Sequence, residues 1–338
     1  MRVPAAVVHR RILMSLALML GVSISTAAGA DGDPPKSPFA GKIIFFGSVL
    51  NDDLGSGLIQ AMSPDGADLK TILKFQQPIQ TGRVSPDGRR LAFSAASKEG
   101  GIWILEGDGH SWKLAEQGHV RCWSPDGKQV ACLLLKAKDR AWESVVIEVE
   151  TKQARSLPIP ETDAIEDWSP DGRFMSVMDG NPSGRFEHPT KGLYPLRRIY
   201  LMNQDGSERK PLTDEPTFDG IWSRFSPDGR WVAHYRRRYR GEQPPAEISV
   251  VRRRDGSDAS ENIDFGELDN PPPFVRPTGA PCWSPDGKTL VWRCDRDDKD
   301  KPGFPPFELI FLSMNDGVIR RLKLSRDEIR FWGRIDWR

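Results

Sequence analysis

The residues best suited to chemistry fall in a few polar clusters. Arg236, Arg237, Arg238 and Arg240 are interleaved with Tyr235 and Tyr239. That pattern can grip a carboxylate or another anion through bidentate, charge-assisted bonds; its plainer reading is a solvated edge with packed tyrosines. Asp295, Asp297, Asp298 and Asp300 resemble a calcium loop only loosely, since Lys299 and Lys301 intervene and neither the Gly at the sixth place nor the Glu at the twelfth is present. Asn51-Asp52-Asp53 is a weaker candidate still and reads as turn chemistry. Calcium is therefore the only cofactor worth naming, and no metal is expected. His110, His119, His188 and His234 show no metal-ligand spacing. There is no Gly-x-Ser-x-Gly elbow and no phosphate loop. Charged residues Arg83, Arg121, Glu166, Asp167, Arg224 and Asp336 stand just before a recurring phrase. They read first as solvated structure around an axis and second as a ligand funnel.

That phrase is Trp123-Ser124-Pro125-Asp126-Gly127, which returns as Trp168 to Gly172 and Trp283 to Gly287. Phe225 to Gly229 and Val84 to Gly88 repeat it with the first residue changed. A basic residue follows each copy, then a β-prone apolar run. Pro pre-sets φ at the second turn position and Gly accepts the left-handed conformation, so each copy predicts a hairpin corner. The serine is a turn residue, since five copies of a nucleophile make no mechanistic sense.

The repeats predict four short strands each. In the first they are Thr81 to Ser85, Leu91 to Ala95, Gly101 to Leu105 and Ser111 to Ala115. Asn203-Gln204-Asp205-Gly206, Asp255-Gly256 and Asn315-Asp316-Gly317 mark third-to-fourth strand corners, and Ser63-Pro64-Asp65-Gly66 occupies such a corner too. The N-terminal piece lacks a first strand, and the tail Ile335-Asp336-Trp337-Arg338 supplies one; Gly41-Lys42 reads as its continuation. Five whole repeats plus one shared between the ends predict an all-β, six-bladed β-propeller of four-stranded antiparallel blades. The C-terminal strand joins the N-terminal blade, which removes exposed edges.

The Trp-Ser-Pro-Asp-Gly-Lys/Arg phrase, the apolar strands and the Asn-x-Asp-Gly corners resemble the WD40-like propeller repeat of the TolB family over about residues 40–338. The resemblance implies a six-bladed, periplasmic propeller. The α/β domain that precedes the propeller in that family is not expected in this chain. Propellers of this type also occur in prolyl oligopeptidases, whose hydrolase domain is not expected in this chain.

Residues 1–30 carry Arg2, Arg10 and Arg11, then an apolar run from Ile12 to Ile24, then Ala28-Gly29-Ala30. This reads as a cleavable secretory signal peptide, too short to span a membrane. Residues 31–39 read as a flexible lead-in and 40–338 as one domain. Cleavage leaves 45 basic against 47 acidic residues, which gives no electrostatic case for nucleic acid. The mature chain is expected to be periplasmic or secreted, without a membrane span, and monomeric. In an oxidising compartment Cys122 with Cys132 and Cys282 with Cys294, each across one predicted hairpin, are disulfide candidates; four buried thiols are the alternative.

The long connections Asp179 to Leu196, Arg236 to Pro245, Asp295 to Pro306 and Phe265 to Pro281 fall on one face by strand order, and binding is expected there. The expected binding residues are Arg185, His188, Arg236, Arg238, Tyr239, Asp295, Asp297 and Phe274. The expected function is a non-catalytic scaffold for a protein partner or an envelope component. The rival is a lyase or hydrolase on glycans or peptides, its site assembled across blades from Arg185, His188, Arg238, Tyr239 and Asp297.

Overall fold

A computed structural model describes residues 38–49, 55–96, 100–136, 141–180, 185–188, 192–212, 218–238, 246–253, 275–277, 279–296, 307–324 and 331–338. All elements among them are β-strands, and all pairings are antiparallel. The first sheet joins β1 (Ile43–Val49), β2 (Gly57–Met62) and β3 (Lys70–Phe75) to the last strand, β26 (Phe331–Trp337). The second holds β4 (Ile79–Val84), β5 (Arg90–Ala95), β6 (Gly101–Glu106) and β7 (Ser111–Ala115). The third holds β8 (Gly118–Trp123), β9 (Gln129–Leu135), β10 (Trp142–Glu148) and β11 (Ala154–Ser156). The fourth holds β12 (Ala164–Trp168), β13 (Phe174–Met178), β16 (Ile199–Asn203) and β17 (Lys210–Pro211). A separate hairpin, β14 (Arg185–His188) with β15 (Gly192–Pro195), sits between β13 and β16 in the chain.

The next sheet has β18 (Phe218–Phe225), β19 (Trp231–Arg238) and β20 (Ala246–Arg253). In the last, β21 (Val275–Pro277) and β22 (Cys282–Trp283) both pair with β23 (Thr289–Arg296), followed by β24 (Phe307–Ser313) and β25 (Ile319–Leu324). The molecule is thus an all-β propeller of antiparallel four-stranded blades. Where the sequence predicts six such blades, five sheets have four or more strands and β18–β20 forms a sheet of three. Residues 254–274, from which a fourth strand of that sheet would come, lie outside the described residues.

Five corners show why the repeated phrase folds as it does. In each, the Ser hydroxyl donates to the Asp carboxylate at 2.6 Å. The same hydroxyl accepts the N–H of the residue five places on, at 2.9 Å. The Asp also accepts the N–H of the basic residue after Gly. The five glycines adopt φ between +68° and +74°, which an L side chain resists. Ser63 to Gly66 makes the corner between β2 and β3, where the sequence places it.

Burial is two-sided, which explains why the strands do not alternate apolar and polar residues. In β1, Ile43 and Phe45 pack toward residues of β23 and β24, while Ile44 and Phe46 pack toward β4 and β5. Further apolar clusters join β5–β7 to β8–β10, β8–β10 to β12–β13, β16 to β18–β19, and β19 to β22–β24. Each fully buried large apolar side chain in such a cluster contributes about 1.5–3 kcal/mol. The inner strands are β26, β4, β8, β12, β18 and β22: β4 packs on β26, β8 on β4, β12 on β8 and β18 on β12, and β22 touches both β18 and β26.

Candidate functional site: the charged inner strands

The residue just before each corner phrase, read in the order in which the inner strands touch, runs Asp336, Arg83, Cys122, Asp167, Arg224, Cys282. All six are buried. The sequence order Asp-Arg-Cys therefore occurs twice, and its bonds repeat. Asp336 Oδ2 accepts the Val84 N–H at 2.8 Å, and Asp167 Oδ2 accepts the Phe225 N–H at 2.8 Å, each from the neighbouring inner strand. The Trp123 indole N–H donates to the Arg83 carbonyl at 2.9 Å, and that of Trp283 to the Arg224 carbonyl at 3.2 Å. Arg83 donates to the carbonyls of Gly82 and Arg121, and Arg224 to those of Ser223 and Glu166. The inner-strand charges are thus bonded across sheets. They are brought together as the sequence suggests, but as buried staples and not as a solvated lining.

One layer further from the corners lie Arg121, Glu166, Trp222, Arg334 and His119. A bulge between Ile221 and Arg224 gives Trp222 a φ of +58°, strained for so bulky a residue. It points two successive backbone N–H groups at one carboxylate, an arrangement suited to anions. Glu166 Oε1 accepts the Trp222 N–H at 2.9 Å, and Oε2 accepts the Ser223 N–H at 2.6 Å and its hydroxyl at 3.0 Å. Arg121 completes the set with its Nη2 3.2 Å from Glu166 Oε1 and its Nε donating to the Ile165 carbonyl at 2.7 Å. The Arg334 guanidinium lies 5.1 Å from the centroid of the Trp222 ring. The His119 ring is 4.7 Å from that of Trp142, which is 41% exposed.

The charges perturb one another. Burial, then Arg121 and Arg83, push the Arg334 guanidinium down to about 10. Burial and the neighbouring Arg121 and Arg334 hold the His119 imidazole below its usual range. Asp167 is pushed up to about 6 by burial, against the pull of Arg338 and Arg83. Burial raises the Cys122 thiol well above its ordinary value, so it is not a ready nucleophile.

The residues expected on the loop face are placed differently. Arg236 and Arg238 are not loop residues: they lie in β19, opposite Ile248 and Ala246 on β20. Asp295 is likewise inside β23, opposite Phe307. Both strands run further than expected because their pairing continues past the predicted ends. Arg185 and His188 sit at the two ends of β14, in a hairpin where the sequence suggests an irregular loop. Tyr239, Asp297, Phe274, Asp298, Asp300 and Asn51-Asp52-Asp53 lie outside the described residues. His110 is exposed in a corner, and His234 is buried in β19. No cluster of three metal-ligating side chains occurs among the described residues.

The disulfide candidates are corrected. All four thiols are free and buried. Val120 pairs with Cys132, but a bulge at Arg121 brings Cys122 opposite Ala131, which turns it to the other face. Cys122 accordingly packs between β8–β10 and β12–β13, and Cys132 packs against Val120 and Trp123. Cys282 pairs with Val291, three residues from Cys294 on β23, so these two also face opposite ways.

Sequence reasoning gave no role to Arg334 or Trp222. The signal is weak, because each lies three residues before a corner aromatic and bulges shift what that spacing means.

No family model matches the chain. It is similar to an uncharacterised peptidase, YuxL, of Bacillus subtilis (strain 168), at 26% identity over 201 residues, 49% of this chain and 30% of that protein. Its fold is similar to that of TolB from Acinetobacter baumannii (16% identity, TM-score 0.64, covering 88% of this chain and 66% of that one). It is also similar to that of a TolB homologue from Agrobacterium tumefaciens (18%, 0.56, 83% and 90%). The chain thus spans under a third of the peptidase and just under two thirds of the first TolB. At these identities the structural likeness is one of fold, and the fold is a TolB-like β-propeller.

Proposed function

We propose that the chain is an exported, non-catalytic binding scaffold: a closed six-bladed propeller that meets a protein partner or an envelope component with the end opposite its corners. The observation that carries this reading is the use of the inner-strand carboxylates. Asp167 and Asp336 are both spent on backbone N–H groups of a neighbouring strand, which braces the sheets as a rigid platform. Six blades and closure are supported by the three-stranded sheet, by the apolar clusters between successive sheets, and by the pairing of β26 with β1. The long connections 179–198, 239–245 and 297–306 join β13 to β16, β19 to β20 and β23 to β24, equivalent strand pairs of successive sheets, which supports one shared end as the recognition surface of a rigid scaffold. Export rests on the sequence of residues 1–30; no helix among the described residues is long and apolar enough to cross a membrane.

Two experiments test the proposal. N-terminal sequencing of the protein from its native host should begin near Asp31. Native affinity capture from envelope extract should recover a partner with the wild type. It should lose that partner when 239–245 and 297–306 are replaced by short Gly-Ser turns. Capture that is absent, or indifferent to both replacements, refutes the scaffold reading.

The likeness to YuxL favours a second reading, a propeller that serves a peptidase or another hydrolase. Turnover of a fluorogenic peptide panel by the purified chain, abolished by replacing His188 or Arg185, would decide for it. Capture of a stable partner without turnover decides for the scaffold.

A further inference from the structure

The layer of inner-strand charge above the corners is out of balance. Arg121 on β8 and Arg334 on β26 share this layer with Glu166 on β12, the carboxylate among them, and β4 lies between their two strands with Arg83 one layer nearer the corners. Glu166 has no capacity to spare: its two oxygens already accept two backbone N–H groups, one hydroxyl and one guanidinium, which fills the four acceptor places of a carboxylate. Arg83 and Arg121 spend donors on neutral carbonyls. Arg334 rests on the Trp222 ring at 5.1 Å, and among the described residues no carboxylate lies within ion-pair reach of it. In the layer below, Asp167 and Asp336 each hold a backbone N–H, with Arg83 and Arg338 close by. Burying guanidinium groups in excess of carboxylates is costly unless an anion completes the set.

We propose that Arg334 and Arg121, with Trp222 as the platform beneath Arg334, form a binding site for a small oxyanion, a carboxylate or phosphate group entering along the inner strands. The chemistry suits the residues. A guanidinium over an aromatic ring spends none of its N–H donors on a carboxylate there, which leaves them for bonds to an oxyanion. Trp222 is held in place by its own N–H on Glu166, at the cost of a strained backbone. The His119–Trp142 pair stands beside the same charges and reaches the surface through the exposed Trp142. The site stands apart from the loop-face reading, since none of its residues lies in a long connection.

The test uses the mature full-length chain, with sodium citrate and sodium phosphate as probes and sodium chloride at matched ionic strength as control. Thermal unfolding and tryptophan fluorescence are followed for wild type, Arg334→Gln and Arg334→Lys. In wild type, citrate or phosphate should raise the midpoint saturably and change the fluorescence, and whichever acts at lower concentration identifies the group. Arg334→Gln should be at least as stable as wild type in chloride, having lost an uncompensated charge, and should respond about tenfold or more weakly to either anion. Arg334→Lys keeps the charge without the fork and should also bind more weakly. General salting-in or salting-out acts equally on all three proteins. Equal responses in wild type and both variants, or none in wild type, overturn the site; wild type alone settles the latter if a variant fails to fold.

Discussion

At the scale of single residues, the buried carboxylates set how stability follows pH. Asp167 is raised to about 6 in the folded chain by burial, against about 3.9 for an exposed Asp. A group whose folded value is raised contributes stability that is complete below the unfolded value and lost as pH rises through the folded one. Its contribution is therefore present near pH 4 and gone above pH 6, and over that window it amounts to about 3 kcal/mol at most. Urea midpoints measured from pH 4.5 to 7.5 should fall for wild type, and the fall should be shallower for Asp167→Asn. The corner aspartates behave oppositely. The Ser124 hydroxyl, and then the Lys128 N–H, lower Asp126, so its contribution is present above the ordinary carboxylate value and lost in stronger acid. Ser124→Ala removes the donor to Asp126 and the acceptor for the Gln129 N–H together. It should cost about 1–3 kcal/mol, read as a lower urea midpoint with an unchanged slope.

Elements are held at distances that tolerate no added atom at certain places. A Cβ on Gly82 of β4 would come within 2.2 Å of the Phe46 ring on β1. Gly82→Ala should therefore destabilise by about 1–3 kcal/mol, checked by thermal unfolding, and Phe46→Leu in the same chain should recover part of it. The strands themselves were legible in the sequence: Ser111–Ala115 matches residue for residue, because corner chemistry punctuates the strands and two-sided burial fills them. The bulges were not. Those at Arg121, Glu166 and Trp222–Ser223 turn side chains to the other face through backbone geometry that no residue type announces. The Cys122–Cys132 expectation failed for that reason, whereas Cys282 pairs with Val291, three residues from Cys294, so that register alone turns those two thiols apart; the bulge at Trp222 likewise hid the Arg334–Trp222 contact. Alkylation of the unreduced, denatured protein should accordingly label four thiols per chain.

Over the whole molecule, the two ends of the described chain behave as one more corner. The Gly41 N–H donates to the Arg338 carbonyl at 2.6 Å, as Gly127 does to Ser124 at 2.9 Å. Gly41 has φ +68°, the same value as Gly88 and Gly127. Aligned this way, Trp337-Arg338 followed by Phe39-Ala40-Gly41-Lys42 has the length of Trp123 to Lys128, with Arg338 in the place of Ser and Phe39 in that of Pro. The corner holds without a covalent link because β26 is paired along all of β1 and both Ile335 and Trp337 are buried. Removing residues 331–338 should then expose a row of unpaired groups on β1 and forfeit two large buried side chains, about 3–6 kcal/mol from their burial alone, a large share of a typical domain's stability. A circular permutant that joins Arg338 directly to Phe39, with new ends between the exposed Asp316 and Gly317, keeps every one of those contacts. The permutant should be soluble, with a far-ultraviolet spectrum and a thermal midpoint close to those of the parent, while the truncated chain should aggregate or lose cooperative unfolding. A stable truncated chain, or a permutant that unfolds at much lower temperature, would show that the ends do not carry the fold in this way.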